Sequence, residues 1–268
     1  MTSNLKIMEN QITITRDLEY KDGLKLDLYS GNNSKGAIID IHGGGWFHGD
    51  KMKDEDLATR LAQEGYLVIV PNYRLTPSGT YPAGREDILA SLDWLIKSEY
   101  VFDRGKIAAW GSSAGGNISV EVALLRGIPA ISWSGIIDIE GFILDTDGKA
   151  SETKADLDFA NIPSANINQG GRNDAFLRWC IYELIGNDRS LLKEATPLTR
   201  VSAASGQMYL ANSMGEFVPA DGALKLQSAL LAVGVASTVQ LVPGTVHAKG
   251  YMPYAIDASL SFLANIFK

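Results

Sequence analysis

The 268-residue chain is 46% hydrophobic and 21% charged, a balance that excludes whole-chain disorder and a length that buries roughly 70–75% of the unfolded surface without a disulfide or metal staple. Its 24 Lys and Arg against 31 Asp and Glu leave a net charge of −7; with no basic cluster, binding of nucleic acid or anionic lipid through the overall field is excluded. One cysteine, Cys180, excludes an internal disulfide, and His42, His48 and His247 have no Cys pair to join in a zinc site.

Met1 to Arg16 carries no apolar run of signal-peptide length, and no uncharged stretch is long enough to cross a bilayer, so a cytoplasmic chain without membrane association is expected. The lone cysteine fits that reducing compartment. Strands are expected at Ile12 to Thr15, Leu24 to Tyr29, Ala37 to Ile41, Leu67 to Pro71, Ile107 to Trp110, Ala130 to Trp133, Met208 to Ala211 and Val239 to Val242, the first two as an antiparallel start. Helical periodicity falls between them, at Asp54 to Gln63, Glu86 to Ser98, Gly116 to Arg126, Asp221 to Ala232 and Tyr254 to Ile266, and Gly65, Gly127 and Gly234 stand where helices stop in the left-handed conformation. This alternation is the pattern of βαβ units around a mostly parallel eight-stranded sheet with helices on both faces, an α/β fold in one domain. Gly141 to Asp174 breaks it: Asp, Asn, Gly and Ser dominate, and Phe176 to Ile185 then reads as an apolar helix. A cap insertion at about residues 137–206 is expected there, because long loops inside a compact domain are usually functional.

Gly111-Ser112-Ser113-Ala114-Gly115 follows one strand and opens a helix, the context of a nucleophile elbow. Such a turn strains the backbone of its central residue and demands small neighbours, and Ser113 alone has glycine at both −2 and +2. His42-Gly43-Gly44-Gly45-Trp46 follows another strand. Bare glycine N–H groups can approach a developing oxyanion unobstructed, so Gly44 and Gly45, with Ala114, are the candidate oxyanion hole. A phosphate cradle is disfavoured because no G-K-[ST] or G-x-G-x-x-G follows.

With these motifs the chain resembles the α/β-hydrolase fold, and within it the small esterases with an HGGG loop, related to hormone-sensitive lipase and to the BD-FAE-like group. The resemblance extends over nearly the whole chain and includes Tyr73-Arg74-Leu75-Thr76-Pro77 and Tyr81-Pro82-Ala83 followed by Asp87. For Arg74 and Asp87 it implies structural ion pairing, and for His42 a structural role. His48 is expected on the loop's far side among polar residues. His247, after the last strand, stands where the fold keeps its base, and a serine hydroxyl needs such a base held in one tautomer by an acid. The family usually carries G-x-x-D before Val-Pro in the loop after the seventh strand, but Gly215 stands at the aspartate's place here, in Asn212-Ser213-Met214-Gly215-Glu216-Phe217-Val218-Pro219. Glu216, one residue away and one methylene longer, is the candidate acid; Asp221 is its rival, otherwise explained by N-terminal capping and the helix dipole.

The remaining candidates are weaker. Cys180 in its apolar stretch reads as buried packing; Trp46 and Phe47 read equally as pocket lining or packing. Asp145-Thr146-Asp147-Gly148 departs from a calcium loop, with its glycine too early and no glutamate at the twelfth position. The expected function is a serine carboxylesterase hydrolysing small short-acyl esters through an acyl-enzyme, with no cofactor or metal, a small-molecule ester as partner, and homo-oligomerisation left open. An arylformamidase-like amide hydrolase and a non-catalytic ligand-binding protein on the same scaffold are the alternatives.

Overall fold

The computed structural model describes residues 12–31, 34–148, 161 and 170–268. Residues 1–11, where the absence of a signal peptide is expected, and residues 149–160 and 162–169, the larger part of the expected cap loop, lie outside the described residues.

The described strands are β1 (Thr13–Lys21), β2 (Leu24–Ser30), β3 (Ala37–Ile41), β4 (Leu67–Pro71), β5 (Ile107–Ser112), β6 (Ala130–Trp133), β7 (Met208–Ser213) and β8 (Ser237–Val242). They form one sheet in the order β1-β2-β4-β3-β5-β6-β7-β8, antiparallel from β1 through β4 and parallel from β4 to β8. Every residue of β3, β4, β5 and β6 is buried, the condition of a parallel strand covered on both faces and the reason these read as continuous apolar runs.

The covering helices are α1 (Glu55–Gln63), α2 (Ala83–Lys97), α3 (Ala114–Arg126), α4 (Ile139–Thr146), α5 (Asp174–Leu184), α6 (Leu192–Ala195), α7 (Asp221–Ala232) and α8 (Met252–Ile266). Because strand side chains alternate, Ile39, Ile41 and Leu210 join one core with α2, α3, α5 and α7, while Ile38, Trp110 and Tyr209 join the other with α1 and α8. Each fully buried side chain of this size contributes roughly 1.5–3 kcal/mol.

Two of the differences from the expected elements have physical causes. β1 runs to Lys21 rather than Thr15; it is a sheet-edge strand of mostly exposed, polar residues with two register shifts, so no apolar alternation marks it. α4 occupies the start of the stretch expected to be irregular from Gly141, with the Asp138 carboxylate capping it by accepting the Gly141 N–H at 3.1 Å. α2 starts at Ala83, three residues before the expected Glu86. Gly65, Gly127 and Gly234 have φ of 89°, 67° and 77°, as their stop positions require.

After β3 the chain fills one side of the sheet with β4, then crosses to β5 on the other. β3 and β5 are therefore adjacent, with Ile41 opposite Gly111, and their C-terminal loops leave the sheet side by side. That is the topological switch point, where open α/β sheets bind ligands.

Candidate active site

β5 ends at Ser112, and Ser113 makes the turn into α3 with φ 58° and ψ −121°. This conformation is costly for a non-glycine residue and persists only where surroundings enforce it. Here the Ser113 N–H donates to the Trp133 carbonyl at 2.7 Å. A Cβ at position 115 would strike the Ile41 carbonyl oxygen, so only glycine lets α3 lie this close to β3. Ser113 is 9% exposed, and Ala114 is the first residue of α3, whose leading N–H groups have no partner within the helix and carry its positive dipole end.

The glycine loop turns beside it. Gly44 has φ 133°, and its carbonyl accepts the His48 N–H at 2.9 Å; a side chain at Gly44 would meet the His48 backbone. His42 is fixed underneath, stacked on Tyr73 at 4.4 Å, with Nδ1 2.9 Å from the Gly43 carbonyl, and burial pushes its imidazole below the usual histidine range. The Tyr73 hydroxyl donates to the His42 carbonyl at 2.9 Å.

His247 lies between β8 and α8, in the loop beyond the sheet. Its Nδ1 meets the Glu216 carboxylate, at Oε2. Glu216 is 2% exposed, and its other oxygen, Oε1, accepts the Ser213 N–H at 2.8 Å and the Ser134 hydroxyl at 2.8 Å. A carboxylate on Nδ1 keeps the neutral imidazole's proton there, which leaves Nε2 as the basic nitrogen. That Nε2 is buried and has no hydrogen-bond partner among the described residues. The Phe217 ring packs on the imidazole at 4.3 Å.

Ser113, His247, Gly44, Gly45 and Trp46 line one cavity of about 150 Å³. Phe47, Phe176, Leu177, Cys180 and Phe217 supply an apolar wall, and the charged Lys53, Asp54 and Lys249 line the cavity as well. Trp46 and Phe47 thus line the pocket, and Trp46 also packs in the core. Cys180 is 1% exposed, and burial raises its thiol well above the usual range, so it is a packing atom of the wall.

His48 corrects an expectation: it lines this cavity, its ring 4.3 Å from Phe47, because the tight turn from Gly44 to His48 folds it back. Asp221 corrects another. The N-cap of α7 is Ala220 and Asp221 makes no capping hydrogen bond; it is the first helical residue, ion-paired with Lys225 at 3.2 Å, away from the imidazole that Glu216 holds.

Arg74 grips the buried Asp87 through Nε and Nη2 at 2.7 and 2.8 Å, and Lys21 reaches it at 2.6 Å. Burial alone would raise the Asp87 carboxyl; these donors hold it below the usual carboxylate range. Asp147 pairs with Arg178 and Arg189 at 2.7 and 2.6 Å. Among the described residues no group of three or more His, Cys, Asp or Glu could hold a metal ion, and no helix is long and apolar enough to cross a membrane.

The BD-FAE family model matches residues 26–230. The chain belongs to the BD-FAE family. It is 29% identical over 230 residues to the Mycobacterium tuberculosis carboxylesterase NlhH, spanning 82% of this chain and 67% of that one. Its fold is that of solved α/β-hydrolase esterases. Esterase B from Lactobacillus rhamnosis superposes with a TM-score of 0.72 at 21% identity over 96% of this chain and 85% of that one. A truncated carbohydrate esterase from gut microbiota gives 0.73 at 20% identity over 97% and 98%.

Sequence reasoning missed Ser134 and Tyr251 around Glu216. Their signal was positional: Ser134 is the first residue beyond β6, at the strand-end edge where α/β sites are built, and Tyr251 follows His247 by one helical turn.

Proposed function

We propose that this member of the BD-FAE family is a serine carboxylesterase acting on small, short-acyl esters through an acyl-enzyme. The observation that carries the reading is the Glu216 carboxylate on His247 Nδ1 while Nε2 stays unpartnered in the cavity that Ser113 and the glycine loop also line. His247 Nε2 takes the Ser113 proton as Oγ attacks the ester carbonyl, and Glu216 stabilises the imidazolium that forms. The N–H groups of Gly44, Gly45 and Ala114 hold the oxyanion, the last with the dipole of α3 behind it. His247 then protonates the leaving alcohol, and water repeats the attack on the acyl-enzyme. The NlhH relationship supports the ester class.

The cavity of about 150 Å³ and its aromatic wall favour a short acyl group over a long chain. α5, which supplies Phe176, Leu177 and Cys180 to that wall, supports residues of about 137–206 acting as the cap of a single catalytic domain. A cytoplasmic setting fits the unpaired, buried Cys180.

Ser113→Ala should reduce turnover of an acetyl ester to background and abolish labelling by a fluorophosphonate probe. Retained turnover would end the serine mechanism. Run on acetyl, butyryl and octanoyl esters beside a formanilide, the wild-type enzyme should prefer the shortest esters; a preference for the formanilide would reassign it to amide hydrolysis.

A further inference from the structure

We propose that the Ser134 hydroxyl, backed by Tyr251, is the positioning group that holds Glu216 and His247 in register, tying the acid loop and the base loop to the end of β6. The inference rests on the triad reading above. Ser134 sits one residue past β6 with φ 54°, a conformation rare for a residue with a side chain, and its N–H donates to the Ala211 carbonyl at 2.7 Å. Its side chain is fully buried.

A hydroxyl offers one proton and two lone pairs, and all three are committed. The Ser134 Oγ–H donates to Glu216 Oε1 at 2.8 Å. The N–H of Ala248, the residue after His247, donates to Ser134 Oγ at 3.0 Å. Tyr251 Oη lies 2.7 Å from Ser134 Oγ and donates to the Ala211 carbonyl at 2.7 Å. Neither the carboxylate nor the carbonyl can donate, so the Ser134 proton goes to Glu216 and the Tyr251 proton is shared between Ala211 and Ser134. Burial, with the Glu216 charge beside it, pushes the Tyr251 phenol well above its usual range, so it remains a donor.

One oxygen therefore touches the acid, the backbone beside the base, and a phenol anchored on β7. Glu216 lies one position beyond the family's aspartate; the Ser213 N–H of its own loop and the Ser134 hydroxyl from outside that loop share Oε1 while Oε2 faces His247. Ala248, at φ 50°, holds a strained conformation against this same hydroxyl. The other titratable groups lining the cavity, His48, Lys53, Asp54, Cys180 and Lys249, make no hydrogen bond to Ser134. A change there reaches the chemistry through Glu216 and His247.

The test is steady-state kinetics of Ser134→Ala and Tyr251→Phe beside wild type and Ser113→Ala, on the acetyl ester across pH. Ser134→Ala should lower kcat about tenfold with little change in KM, because a hydrogen bond to a charged group is lost. The acidic limb of its kcat/KM profile should shift to higher pH, since charge no longer drawn to Oε1 gathers beside the imidazole. Tyr251→Phe should move both quantities the same way by less. A role confined to fold stability would lower Tm and leave the limb in place. Wild-type kcat and pH profile in Ser134→Ala and Tyr251→Phe, with Ser113→Ala inert, would overturn this inference alone; turnover by Ser113→Ala would overturn the triad reading and this inference with it. If Ser134→Ala does not fold, Tyr251→Phe decides by the same readouts.

Discussion

The turn that carries Ser113 and the loop that carries Glu216 reach the same cavity by opposite means. At Ser113 the local backbone dictates the residues: a positive φ, and a helix so close to β3 that any side chain at Gly115 meets the Ile41 carbonyl. At Glu216 no steric demand fixes the residue; its carboxylate is held by the Ser213 N–H three residues back in the same segment and by Ser134 and His247, which follow β6 and β8. Steric demand writes a motif into neighbouring residues, whereas a hydrogen-bond network assembled from distant strands does not.

The contrast can be broken at either end. The largest effect belongs to Glu216→Gln: an amide that holds the geometry but favours the wrong tautomer should lower kcat by about 10³–10⁴-fold in steady-state assays, and a loss under tenfold would mean that another group is the acid. Next is Gly115→Ala. With backbone on the far side of the clash nothing flexible can yield, so a stability loss of about 3 kcal/mol or more is expected. Calorimetry should show a Tm lower by on the order of 10 °C; an unchanged Tm would refute the steric account of the turn.

A third effect sharpens the comparison on the strand beneath the glycine loop. Asp40 on β3 is fully buried, and neither carboxyl oxygen has a hydrogen-bond partner among the described residues. Burial, reinforced by Asp54, raises its carboxyl well above the usual range. The folded chain thus holds this proton to higher pH than the unfolded chain does, and stability present in acid is lost as pH climbs from about 4 through the folded value. Asp40→Asn carries no such titration, so its Tm relative to wild type should improve over that climb. A difference constant with pH would show that Asp40 is not the group responsible. The smallest effect is Asp221→Asn, exposed and, among the described residues, paired with Lys225: kcat should stay within about twofold of wild type, and a collapse there would hand the acid's role to Asp221.

The same division governs what the sequence makes legible. β3 to β6 are readable to within two residues because burial on both faces forces unbroken apolar runs. β1 beyond Thr15 is not, because an exposed, bulged edge strand needs no apolar pattern. α4 could have been found from Asp138 as a cap ahead of Ile139, Phe142 and Ile143, but the polar run beyond it masked the period. Ser113 and the glycine loop announce themselves; His247 follows from chain order. Glu216 emerges only by allowing a methylene to offset a one-residue displacement. Ser134 has only its position at a strand end to mark it, and since a serine there has many uses, only the folded chain selects this one.

The anchor proposed at Ser134, just past β6, would loosen the bond between a functional group's column in an alignment and its point in space. With part of the carboxylate's hold coming from outside its own segment, an acidic residue moved one place along would still give the imidazole its counter-charge. Relatives with glycine in the usual acidic column should not be written off as inert on that ground. They are better sorted by whether a hydroxyl persists at the sheet's rim to receive a carboxylate arriving from next door.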